Sequence, residues 1–289
     1  MPVGSSLRRK CRRRKAPFAV SRPIFSDDRR TPFEYMLAGV SPSKTSEQLE
    51  KEKLAAAHAA LGYVRNDMLL GLGSGSTANY LVTLVGEAVR QGKLKIEAFA
   101  SSLQTAARAR EFGILVREPQ RGVRVDLTID GADEIAPDLT LIKGAGGALL
   151  REKIVARASR HFVVIADSSK RVSQLGRRAV PVEVTPFAAP WVMDEVAKLG
   201  GNPLLRTDKL QPDRPSLTDQ QNYLLDCDFG LIGDAPSLAA RLKEIPGVVE
   251  QGLFLGLASA ALVAEGNEII VLRPQHPPVP LDQSNLAFD

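Results

Sequence analysis

Between residues 46 and 177 short apolar runs alternate with segments of helical period, and this alternation limits what the chain can fold into more than any other feature. "DMLLGLGSGSTANYLVTLVGEAVRQG" reads as a strand, a glycine turn and a helix. "LKIEAFA", "GILV", "VDLTID" and "HFVVIAD" read as further strands, separated by helical patterns such as "LQTAARAREFG" and "ALLREKIVARAS". Apolar strands joined through helices require a mostly parallel sheet covered on both faces, a doubly wound α/β domain. An opening helix is expected over "SEQLEKEKLAAAHAALGYV", capped by Ser46, with Leu49, Leu54, Ala57, Leu61 and Val64 on its apolar face.

The pattern changes near Gly176. "AVPVEVTP", "AAPWVMDEVAKLGG", "PLLRT", "NYLLDCDF", "PSLAARLKEIPG" and "VVEQGLF" follow in the order β-α-β-β-α-β, the order of a smaller ferredoxin-like α+β domain. The turn-rich "TDKLQPDRPSLTDQQ" is expected as an exposed loop between its middle strands. The resulting division is a basic, disordered extension over 1–45, an α/β catalytic domain over 46–177 plus 255–273, the ferredoxin-like domain over 178–254, and a disordered proline-rich tail over 274–289. Trp191 and Cys227 read as packing in the second domain, and His58 and His161 as a helix-surface and a strand-edge residue.

Charge decides which partners are compatible with such a fold. The formal net charge is +5, but residues 1–35 hold ten of the 38 basic side chains and three of the 33 acidic ones. The remainder carries 28 basic against 30 acidic groups, so there is no broad basic face for nucleic acid. No apolar run approaches the ~20 residues of a membrane span. The two cysteines, Cys11 and Cys227, lie far apart, which argues against a disulfide framework and for a reducing, cytoplasmic setting. The Arg-rich, acid-poor start also reads as an organelle transit segment, a disordered arm, or an extension ahead of a start at Met36.

Two glycine turns carry the chemistry. "GLGSGSTA", residues 71–78, follows a strand and opens a helix, where unpaired N–H groups and the helix dipole suit an anion. Gly73 and Gly75 would let the main chain approach closely, and Ser74, Ser76 and Thr77 add hydroxyl donors. Without a Gly-Lys-Ser/Thr it is not a nucleoside-triphosphate loop. Gly73, Gly75 and Ala78 fit G-x-G-x-x-A, but the acid that would hold a ribose is missing after the second strand. A monophosphate fits better than a dinucleotide. The second stretch, "DGADEIAPDLTLIKGAGGALLREK" (130–153), places acids at the C-terminal end of a buried strand, where open α/β sheets bind ligands. A lysine, a glycine turn and a helix bearing Glu152 follow.

Taken with "ADSSK" and "PVEV", these motifs closely resemble ribose-5-phosphate isomerase of the A type, from about residue 46 to about 272. The resemblance implies metal-free, cofactor-free interconversion of ribose 5-phosphate and ribulose 5-phosphate through an enediolate. It implies that Glu152 is the base moving a proton between C2 and C1. Asp130 would assist ring opening and shuttle hydroxyl protons, and Lys143 would polarise the carbonyl and stabilise the oxyanion. Ser74, Gly75, Ser76 and Thr77 would surround the phosphate, with Lys53 and Lys170 as further contacts. Gly131, Ala132 and Asp133, with Gly144, Ala145 and Gly146, would line the sugar. A homodimer or homotetramer is the implied assembly, although "LGLASAALVAEG" is more apolar than that family's closing segment. A proton alpha to a carbonyl is only weakly acidic, so a carboxylate base needs charge stabilisation of the product anion. The alternatives are a non-catalytic sugar-phosphate sensor of related fold, and another enzyme such as a sugar-phosphate deaminase or coenzyme A transferase.

Overall fold

The computed structural model describes residues 44–288, so the basic extension expected over 1–45 lies almost wholly outside the described residues. Helix α1 (Ser46–Leu61) begins one residue before a Ser46 cap would allow. Thr45 is the N-cap, and its side chain and that of Gln48 close a reciprocal capping box. The buried face also differs from expectation. Ala56, Ala57 and Ala60 are fully buried while Leu54 is exposed, because small side chains let α1 lie close against the strands beneath.

In chain order there follow β1 (Leu69–Leu72), α2 (Gly75–Arg90), β2 (Glu97–Ala100), α3 (Leu103–Glu111), β3 (Leu115–Val116), β4 (Val125–Asp130), β5 (Glu134–Ile135) and β6 (Leu141–Ile142). Helix α4 (Leu149–Ala158), β7 (Ser159–Asp167), β8 (Val180–Val184), α5 (Ala189–Lys198), β9 (Asn202–Leu205), β10 (Tyr223–Asp228) and α6 (Ala235–Glu244) come next. The last elements are β11 (Val248–Gln251), β12 (Leu253–Phe254), β13 (Ala260–Glu265), β14 (Glu268–Arg273) and β15 (His276–Pro280).

Eight strands form the main sheet in the order β15-β14-β13-β7-β4-β1-β2-β3. From β13 to β3 every neighbouring pair is parallel, and β14 and β15 join antiparallel. Both faces are buried, as a period of two requires. On β7, Val163 and Ile165 enter the core beneath α1 and α2, while Phe162, Val164 and Ala166 enter the opposite one. The chain leaves β1 toward β2 and β3, then returns to β4 on the other side of β1. The C-terminal ends of β1 and β4 are therefore a topological switch point, where ligands bind in sheets of this kind.

The smaller antiparallel sheet has the order β11-β8-β10-β9, the ferredoxin-like arrangement of a β-α-β-β-α-β unit. Cys227 is buried in its core, whereas Trp191 is 61% exposed beside Phe187, against the expectation that it packs inside. "VVEQGLF" is not one strand. After Gln251 it breaks at Gly252, whose N–H bonds Pro181 O and whose carbonyl accepts from Lys143 N. Leu253 and Phe254 then join β6 and β5 in a third sheet. A Cβ on Gly252 would stand 2.4 Å from Lys143 O, so that close approach requires glycine. The tail expected to be disordered instead forms edge strand β15, and Phe288 is buried against Tyr63. Its prolines sit on an edge, where a missing N–H costs no ladder bond.

Candidate active site

The switch point places two loops side by side. After β1, Gly73 and Ser74 lead into α2, and β4 ends at Asp130. An added Cβ on Gly73 would lie 2.2 Å from Asp130 Oδ1 and 2.5 Å from Asp130 Cα. The glycine thus makes room for the aspartate rather than for a ligand. Gly73→Ala should cost ~1–3 kcal/mol by overpacking, read as a lower Tm. Gly146→Ala, where a Cβ meets nothing within 4 Å, should leave Tm unchanged.

Asp130 is almost completely buried, and its Oδ1 accepts from Ser74 N at 2.9 Å and Gly131 N at 2.7 Å. Its Oδ2 is 3.1 Å from Lys143 Nζ. Lys143, also buried, donates to Gly131 O at 2.5 Å and lies 3.3 Å from Glu152 Oε1. Three acceptors thus face the three N–H bonds of one ammonium. Ser74 Oγ donates to the same Glu152 Oε1 at 2.7 Å. Glu152 Oε2 is buried and has no hydrogen-bond partner. One oxygen of this carboxylate is anchored and the other keeps its lone pairs.

The charges push the groups apart. Burial drives the Asp130 carboxyl up to about 7, and the Glu152 carboxylate adds to this against the opposing pull of Lys143. Burial alone would lower the Lys143 ammonium, but Asp130 and Glu152, with Asp133, hold it above its usual range. Near neutrality Asp130 therefore readily takes up a proton beside the buried ammonium.

Beside this triad opens a cleft lined by Ser74, Gly75, Ser76 and Thr77 from the first turn of α2, and by Gly131, Ala132 and Asp133 after β4. Lys143, Gly144, Ala145, Gly146, Glu152 and Lys170 complete it. Ser74 is the N-cap of α2 yet makes no side-chain cap bond, because its hydroxyl is spent on Glu152. Gly75 has φ +86°, a left-handed value that favours glycine. Asp133 Oδ2 accepts from Ala145 N at 2.9 Å, tying one cleft wall to the other. Lys170 stands on a single 3-10 turn that Asp167 caps through Ser169 N. Buried Glu52 holds the same turn through Ser168 N and Oγ.

Thirteen of the fifteen residues singled out in the sequence line this one cleft. The two exceptions are informative. Asp130 lies behind the wall, with its oxygens occupied by protein donors. Lys53 pairs with Glu50 at 2.7 Å and is not among the lining residues. Sequence reasoning missed the bond from Ser74 to Glu152 and the anchoring role of Glu52. Neither has a local signal, since the partners are 78 and 116 residues apart. Among the described residues no group of three or more His, Cys, Asp or Glu is arranged to hold a metal.

Known proteins resemble this chain in sequence and fold. The family described as "Ribose 5-phosphate isomerase A (phosphoriboisomerase A)" matches residues 97–268. A ribose-5-phosphate isomerase A of Roseiflexus castenholzii is 48% identical over 219 residues, which is 75% of this chain and 93% of the relative. That of Rhodopseudomonas palustris is 47% identical over 235 residues, covering 80% of this chain and all of the relative. The solved ribose 5-phosphate isomerase A of Methanocaldococcus jannaschii superposes with a TM-score of 0.74 at 34% identity, over 78% of this chain and 99% of that one. A D-ribose-5-phosphate isomerase in complex with phospho-erythronic acid gives 0.75 at 34% identity, with the same shares of the two chains.

Proposed function

The chain belongs to the ribose 5-phosphate isomerase A family, and from that premise we propose that Glu152 performs the interconversion of D-ribose 5-phosphate and D-ribulose 5-phosphate in this cleft. One observation carries the assignment. Glu152 has one oxygen fixed by Ser74 and Lys143, while Oε2 is buried and unpartnered in the cleft wall. A sensor has no use for such an oxygen, which burial penalises; a base needs one.

Glu152 takes the C2 proton of the open-chain aldose, and the C–H electron pair moves through C1–C2 onto the carbonyl oxygen. The carboxyl group returns the proton to C1, and the hydroxyl proton moves from O2 to O1, which gives the ketose. When Glu152 takes up the proton it loses the charge that holds Lys143, just as the substrate oxygen gains charge. The ammonium therefore transfers its attraction to the oxyanion without leaving its place. Asp130, behind the wall, orients Lys143 and stores a proton rather than touching the sugar. Asp133 is the carboxylate placed to hold hydroxyls. The phosphate takes the first turn of α2 and Lys170, which locates the reacting carbons.

The direct test is ketose formation from ribose 5-phosphate by the purified protein in the presence of EDTA. No turnover despite phosphate-dependent binding would favour a sensor. Within the same reading the protein assembles as a homodimer or homotetramer, and the exposed Phe187–Trp191 pair on the smaller domain supports a contact there.

The raised Asp130 carboxyl has a stability consequence. A carboxyl that sits near 3.8 when unfolded and about 7 when folded binds a proton more tightly in the native state. Its contribution is fully present below about 4 and is lost as pH rises through 7. Asp130→Asn should remove that slope, so that variant and parent differ by at most a few kcal/mol and mostly above pH 7. Melting curves between pH 4 and 8 read the difference, and parallel curves would contradict it.

A further inference from the structure

We propose that Arg206, in the smaller domain, is a positioning residue for the reaction, holding the glycine turn between Lys143 and Glu152 in its productive shape. The inference rests on the isomerase reading above.

The turn at Gly144–Gly147 has three glycines in four positions, and Ala145 and Gly146 are exposed. Gly144 has φ +109° and Gly147 φ +87°. Such a segment has almost no side chain of its own to fix it, and glycine has the most conformational freedom to lose. Arg206 adds a side-chain constraint to the turn's own Gly147 N–H to Gly144 O bond of 2.9 Å. Its Nη1 donates to Gly144 O at 3.1 Å and to Ala145 O at 3.2 Å.

The arginine is itself immobilised. Nε donates to Asp226 Oδ2 at 2.8 Å, and Nη2 pairs with Asp226 Oδ1, a two-pronged contact with β10. Its backbone is bonded on both sides, from N–H to Leu224 O at 2.8 Å and from carbonyl to Ser216 N at 2.8 Å. A fork held by Asp226, just past the end of β9, therefore grips two successive carbonyls of the cleft wall.

The geometry of a trans peptide makes this grip matter to the chemistry. C=O and N–H point in opposite directions across one plane. With Gly144 O and Ala145 O turned toward Arg206, the N–H groups of Ala145 and Gly146 turn the other way. Ala145 N–H meets Asp133 in the cleft, and Gly146 N–H faces the same side as a donor for a sugar oxygen. The phosphate cradle on α2 and Lys170 belongs to other elements, so loss of the grip should damage the reacting end and spare the phosphate end.

Arg206→Met should therefore lower kcat ten- to a hundredfold, in line with the cost of a misplacement of about 1 Å. Inhibition by inorganic phosphate should change less than about twofold. Phospho-erythronic acid, which carries a carboxylate at the end opposite its phosphate, should bind at least about tenfold more weakly. Arg206→Lys keeps the charge but lacks the fork, and should recover only a small part of kcat. If Arg206→Met does not fold, Asp226→Asn, which loosens the fork and leaves the arginine, should show the same split to a smaller degree. A kcat within twofold of the parent, or an equal loss of phosphate and phospho-erythronic acid binding, would overturn the proposal. Inactivity of the parent protein would instead overturn the isomerase reading, so the two failures are distinguishable.

Discussion

Glu152→Gln is expected to lower kcat by about a thousandfold while leaving the affinity for ribose 5-phosphate within a few-fold of the parent. General-base catalysis of this kind contributes ~10²–10⁴, and the glutamate has no substitute in reach. Asp130 has both oxygens committed to Ser74, Gly131 and Lys143, and Asp133 is tied to the Ala145 N–H. Glutamine keeps the length and can still accept from Ser74 Oγ, so the cleft wall is not dismantled. The phosphate groove and Lys170 are untouched, which is why binding survives. A second measurement separates lost chemistry from lost order. In deuterated solvent the parent should exchange the C2 hydrogen, and the variant should not, even over long incubation with bound sugar phosphate. Residual exchange near the parental rate would mean that another group takes the proton and that Glu152 only shapes the wall.

The parts of this site that were legible in the sequence are those where backbone geometry forces a residue type within one short segment. A glycine turn that opens a helix after a strand reads as an anion cradle, and Ser76, Thr77 and Gly75 of that turn line the cleft. Acids ending "VDLTID" fall at the switch point because a parallel sheet puts strand ends there. The legible signal stops where a side chain chooses between partners far apart in the chain. Ser74 looks like a phosphate ligand in its own motif, yet its hydroxyl goes to Glu152. Asp130 looks like a group facing the ligand, yet the absent Cβ of Gly73 lets it fold behind the wall. Lys53 is taken by Glu50 one helical turn away, a competition that a motif does not display. The tail failed for a different reason. Proline-rich composition argues against a central strand, but an edge strand tolerates proline, and the single apolar anchor Phe288 is too brief a signal to outweigh it.

Lys143→Met should abolish activity and, unlike the glutamate variant, should also destabilise the fold strongly at neutral pH. Methionine matches the stem of lysine but removes the positive charge that lies 3.1 Å and 3.3 Å from two buried carboxyl groups. Removing one partner of a buried ionic group typically costs ~3–5 kcal/mol, because the remaining charge is left in a poor solvent. For a unit of this size that is a fall in Tm on the order of 10 °C. The pH dependence identifies the cause. In the parent Lys143 already opposes the burial that drives Asp130 up to about 7. Without the ammonium the Asp130 carboxyl rises further above its unfolded value, so stability is lost as pH rises through that raised value and regained as pH falls. The deficit relative to the parent should therefore shrink between pH 8 and pH 5. Acid should restore the fold without restoring turnover, since nothing replaces the positive charge at the oxyanion. The double variant Lys143→Met/Asp130→Asn should recover much of the stability, because it removes one of the two stranded charges, and should remain inactive. A deficit that stays constant with pH would point instead to lost packing around the lysine stem, whose ammonium lies 5.6 Å from the ring centroid of buried Phe254. Stability would then rest on the apolar wall, and the triad would contribute to catalysis alone.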